Sequence, residues 1–127
     1  MTNLPNLHDG FFDGLWLSAD SRALLFVRTV KGERSTIVLS GVEALNVNGL
    51  RAGNIILDVA LIPPDKLTAE DIEKVYDLGN NRAQMTRQLI AKAQHDRLSA
   101  LEINPSYGAE GKLLFRTIVT VPEHALT

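Results

Sequence analysis

NIILDVALIPPDKLTAEDIEKVY, residues 54–76, changes its period half-way along. Up to Ile62 the apolar residues alternate. Ile55, Leu57, Val59 and Leu61 share one face of an extended chain, because successive side chains of a strand point to opposite sides. Pro63–Pro64 ends that pattern, since proline has no N–H to give to a ladder. Beyond it Ile72, Val75 and Tyr76 recur at i, i+3 and i+4, one stripe of a helix. Thr68 is placed to cap this helix, with Glu70 and Asp71 in the first turn, where the helix dipole favours acid. Gly79 is placed as its stop.

Toward the N-terminus the chain keeps the strand pattern. FFDGLWLS (11–18), ALLFVRTV (23–30) and STIVLSGV (35–42) are dense in β-formers. Asp13–Gly14 reads as a bulge or a tight turn in the first run. Lys31–Gly32–Glu33 reads as a hairpin connector with glycine at a positive φ. NVNGLRAGN (46–54) reads as a loop rich in glycine and asparagine. In ALLFVRTV, Leu24, Phe26 and Arg28 point one way and Ala23, Leu25 and Val27 the other. Apolar residues on both sides predict a strand covered on both faces.

Toward the C-terminus, Asn81 is placed to cap a second helix running to about Arg97, with Met85, Leu89 and Ala93 as its stripe beside Thr86 and Ile90. LSALEINP (98–105) and KLLFRTIVTV (112–121) return to strands. The order is ββββααββ. It predicts one α+β domain over residues 1–127: a curled, mainly antiparallel sheet of about six strands with two helices packed on one side.

Composition excludes several functions. The chain has 127 residues, 45% hydrophobic and 22% charged, with net charge −2 and no cysteine. Without cysteine there are no disulfides, thiolate nucleophiles or Cys-bearing metal centres. The charge balance argues against nucleic-acid binding, which needs clustered Lys and Arg. Arg82, Arg87, Lys92 and Arg97 recur every fifth residue and so ring the second helix instead of forming a stripe. There is no basic leader before an apolar run, and no apolar run near the ~18 residues a spanning helix needs. The expectation is a cytoplasmic protein with no membrane association.

The polar residues offer few sites. His8–Asp9 in NLHDGFFDG are the catalytic candidates, because an aspartate can orient an imidazole for base catalysis. Neighbours on an extended chain point apart, however, so the plain reading is an Asp–Gly turn. His8, His95 and His124 lack metal-ligand spacing, so no metal site and no cofactor are expected. No GxSxG, GxGxxG or Walker loop is present. Asn48, Arg51 and Asn54, with Asp58 on the following strand, form a polar cluster that could hold an anion. Arg28 and Arg116 sit in apolar strands and need partners, which Asp58 and Glu102 would supply.

The run LHDGFFDG, followed by strand–GE–strand and GVEALNVNGLRAGNIILDV, resembles small bacterial α+β domains that open on an HDG-like motif. Some of those are similar to immunity proteins of bacterial toxin systems. The resemblance spans about the first 60 residues, implies a bacterial setting, and brings no catalytic residue with it.

Two functions follow. One is a non-enzymatic protein-binding module, with a homodimer expected because an edge strand such as 112–121 must be covered. The other is a small enzyme or ligand-binding protein using the concave sheet face with His8, Asp9, Arg28, Arg51 and Asp58.

Overall fold

The computed structural model describes residues 4–79 and 82–123. Asn81 and His124 lie outside them. The strands are β1 (Phe11–Leu17), β2 (Ala23–Arg28), β3 (Arg34–Ser40), β4 (Ala44–Asn48), β5 (Asn54–Ile62), β6 (Ser99–Tyr107), β7 (Glu110–Phe115) and β8 (Thr117–Pro122). The helices, between β5 and β6, are α1 (Ala69–Val75) and α2 (Ala83–His95). All eight strands form one antiparallel sheet in the order β4-β7-β6-β5-β1-β2-β3-β8.

The sheet has eight strands and not about six, for two reasons. The segment read as a loop begins as β4. The last run divides at Arg116 into β7 and β8. The breaks face each other: Ser40 pairs with Thr117, Ala44 with Leu114, and Arg116 N–H donates to Ser40 O at 3.0 Å between them. β3–β4 and β7–β8 are thus two long strands that bend together. Gly41 permits the bend, with φ +65° and no room for a Cβ, which would lie 2.8 Å from the Arg116 side chain. The first half of 112–121 is therefore interior, between β4 and β6, and is not the exposed edge that was expected.

Both halves of the sheet contribute to one core. Phe12, Leu25, Ile37 and Leu39 from β1, β2 and β3 join Ile56, Leu101, Leu113 and Phe115 from β5, β6 and β7. A bulge at Leu57 of β5, close to a second irregularity at Ser106 of β6, breaks the simple alternation, and Ile56 is buried while Leu57 is exposed. A second core lies under the helices, where Ile72, Val75 and Ala93 meet Leu98, Ala100 and Leu114. Met85 points outward, and α2 packs through Thr86, Leu89, Ile90 and Ala93 instead.

The capping of α1 follows the sequence at its start and departs from it at its end. Thr68 and Asp71 form a reciprocal capping box, with Asp71 N–H donating to Thr68 Oγ1 and Thr68 N–H to Asp71 Oδ2. Two residues short of Gly79, Asp77 takes the left-handed conformation at φ 53°, and Leu78 N–H reaches back to Glu73 O. α2 ends the same way through Arg97, φ 58°, with Leu98 N–H on Ala93 O.

Candidate functional site

The His8–Asp9–Gly10 segment is a turn, closed by Gly10 N–H donating to Leu7 O at 2.8 Å. Asp9 is left-handed at φ 60°, so the chain is not extended here and the His8 and Asp9 side chains approach to 3.5 Å. His8 Nδ1 lies 2.8 Å from Leu57 O, which can only accept, so that nitrogen carries the hydrogen. Asp9 N–H donates to Ile56 O, and Ile56 N–H donates to Gly10 O. The motif extends the β1–β5 pairing and presses Gly10 on β2, where a Cβ would stand 2.4 Å from Arg28 O.

The remaining candidates do not converge on one point. Arg28 makes a two-toothed ion pair with Asp13, at 2.6 and 2.9 Å, while its guanidinium lies 4.4 Å from the Phe11 ring centroid. The β1 bulge at Asp13 supplies this partner, so Asp58 is not needed. Asp58 instead accepts from Asn104 Nδ2 at 2.7 Å. Asn48 donates to Asn46, and the Arg51 side chain to Leu50 O. Asn54 is buried and structural. Its Oδ1 accepts from Arg51 N–H and Ala109 N–H, and its Nδ2 donates to Phe12 O.

Glu102 is paired by Lys112 and not by Arg116, which donates to Asp96 O. Lys112 has only 4% of its side chain exposed and also meets Asp71 at 2.6 Å. Burial by itself would push the Lys112 ammonium down, but its bonds to Asp71 and Glu102 outweigh this and hold it above the ordinary lysine range. Burial likewise works against the Asp71 carboxylate, and the bonds from Lys112 and Thr68 hold it below its ordinary range. The Lys112 hydrogen bond keeps Glu102 low against its own burial. A lysine inside the apolar run GKLLF was the signal for this centre in the sequence. It joins α1 to the sheet.

The helices pack over β4, β7 and β6, and among the described residues nothing covers the outer face of β1–β2–β3–β8, where Trp16, Phe26 and Val119 stay exposed. That contradicts the two-sided cover expected for β2. The registers arrange this face in rows. One row reads Trp16, Leu24, Val38, Val119; the next reads Gly14, Phe26, Thr36, Val121. Trp16 is 57% exposed, Val119 55% and Phe26 39%. A third row brings Arg28 and Arg34 side by side, with Asp13 on Arg28 and Glu123 on Arg34. A groove of about 650 Å³ runs where Phe26 and Thr36 meet these charges. Sequence alternation showed the apolar residues but not which half of the sheet the two helices would choose.

No family model, curated protein or solved structure matches the chain. Among the described residues, no group of three or more His, Asp or Glu could hold a metal ion. No helix among them is long and apolar enough to cross a membrane.

Proposed function

We propose that the chain is a non-enzymatic protein-interaction module working through the outer face of β1–β2–β3–β8. The carrying observation is the uncovered row Trp16–Leu24–Val38–Val119 beside Phe26. Contiguous exposed apolar surface of this kind, bordered by polar residues, marks interaction sites. The occupant we assign is a folded protein with a flat apolar patch. Its border would carry charges of both signs, to meet the Asp13–Arg28 and Arg34–Glu123 pairs. An immunity-type role, as the resemblance implies, would use this same face.

We read the sheet as curled, since both halves line one core. Its concave side is then filled by Phe12, Leu25, Leu101, Leu113 and Phe115. That supports the interaction reading over a ligand cup. His8, Asp9, Arg28, Arg51 and Asp58 each have another use described above.

The test compares native capture by the wild-type chain with capture by Phe26→Lys and Val119→Lys, both at exposed positions. The reading expects a stoichiometric partner on the wild type that both variants lose at unchanged thermal stability. A partner retained by both variants, or none captured by the wild type, overturns it.

A further inference from the structure

β1 is an unguarded edge. Its pairing with β5 ends at Phe12–Asn54, and from Gly14 onward it pairs with β2 alone. Natural sheets protect such edges with charge, proline or a covering element. β8 ends in Pro122, and Asn46 of β4 is tied to Lys74 O of α1. The edge of β1 reads Gly14–Leu15–Trp16–Leu17, with no charge and no proline. Leu17 is 51% exposed beside Trp16.

The ladder shows which backbone groups face outward. Ser18 N–H donates to Arg22 O at 2.9 Å, so Ser18–Arg22 is a hydrogen-bonded pair. Bonded and non-bonded pairs alternate along an antiparallel ladder. Trp16–Leu24 is then bonded to β2, while Leu15 and Leu17 direct their N–H and C=O groups away from it. No strand among the described residues pairs with them there.

We propose that β1 pairs with β1 of a second copy, antiparallel, about a two-fold axis at Trp16. Leu15 then faces Leu17 of the second copy, and Leu17 faces its Leu15. Each pair exchanges two N–H···O bonds, so every outward group of Leu15 and Leu17 on both copies is used. Trp16 faces Trp16 in a non-bonded pair, the type in which side chains lie closer. Two exposed indoles are buried against each other there, a favourable cross-strand contact. Gly14 falls opposite Ser18, leaving room for both rings.

A second copy is the occupant because this strand paired with itself is isologous. Its free donors and acceptors are symmetric about residue 16 and need no other sequence. A pairing of so few residues per copy makes a small interface for a specific association, so the dimer dissociates on dilution. It also joins the outer faces of both copies into one longer apolar floor. The inference concerns the edge; it shares Trp16 with the face of the partner-binding reading but involves neither Phe26 nor Val119, on which that reading is tested.

Sedimentation equilibrium over the micromolar range tests it. The wild-type mass rises with concentration toward twice 13.9 kDa. Trp16→Lys and Trp16→Glu, at a largely exposed position, each stay monomeric with unchanged melting temperature. Their equimolar mixture regains the dimer mass, because unlike charges now meet at the axis. A monomeric wild type, a lysine variant that dimerises as the wild type does, or a mixture that stays monomeric overturns the inference. Phe26→Lys, one strand in from the edge, keeps the dimer while losing partner capture, so the two proposals fail separately.

Discussion

Lys112 Nζ lies 2.6 Å from Asp71 Oδ1 and 2.8 Å from Glu102 Oε2, so one buried ammonium ties β7 to both α1 and β6. Asp71 also closes the capping box of α1, which makes the helix start and the helix–sheet contact one unit. Removing the cation leaves two carboxylates in a poorly solvated place. Lys112→Met is expected to lower unfolding free energy by about 3–5 kcal/mol, the usual cost of breaking a buried pair from one side. Urea denaturation followed by far-UV circular dichroism measures it, and a loss below about 1 kcal/mol would contradict the structural role.

The same centre gives the protein a pH dependence with a definite sign. Asp71 and Glu102 are held low in the fold, so they take up protons more readily when unfolded. Their stabilisation is present above the ordinary carboxylate range, about pH 4, and is lost as pH falls through their lower folded values. Lys112 is held high, so its contribution is complete below about pH 10 and is lost as pH rises through its folded value. Stability should be flat between these limits in respect of this centre and decline outside them. Lys112→Met should reduce the acid dependence between about pH 2 and 5 in urea titrations at several pH values.

Asn54, a member of the polar cluster that could hold an anion, is a structural hub. Asn54→Ala leaves Arg51 N–H, Ala109 N–H and Phe12 C=O without their partner at a buried place. The expected loss is on the order of 3 kcal/mol. Asn54→Asp keeps the acceptor for the two N–H groups but removes the donor to Phe12. Hydrogen exchange at Arg51 and Ala109 should therefore accelerate more in the alanine variant than in the aspartate variant.

Arg97 holds a left-handed conformation at the end of α2 where glycine is the common choice. Its φ of 58° strains an L side chain, whereas glycine adopts it freely. Arg97→Gly should raise stability by about 0.5–1 kcal/mol, the strain relieved less the extra chain entropy of unfolded glycine. A rise in thermal midpoint checks it.

Legibility in the sequence followed the physics of each element. The strands at 23–28, 34–40 and 54–62 and the start of α1 were readable, because period and capping are local properties. The bend at Gly41–Arg116 was not, because 112–121 reads as one continuous run and 46–54 as a loop, and only the mutual register of β3–β4 and β7–β8 places the break. The bulge in β5 hid for the same reason, since a clean alternation carries no sign of an inserted residue. Gly79 drew the helix stop two residues late, because Asp77 does a glycine's work at φ 53°. Of the site candidates, Arg28 was rightly expected to need a carboxylate. The bulge at Asp13–Gly14 was one of the two readings of that pair, but that it turns Asp13 onto Arg28 depends on the register of β1 against β2, which spacing does not show.

Hydroxyl-radical footprinting tests the uncovered outer face most directly. The protein would be footprinted alone and in the complex recovered from cells, reading Phe26 and Val119, which lie off the β1 edge. Both should be modified in the isolated chain and strongly protected in the complex, with α2 residues such as Met85 unchanged. Equal modification of Phe26 and Val119 in both samples, or protection confined to α2, would contradict the assignment of this face.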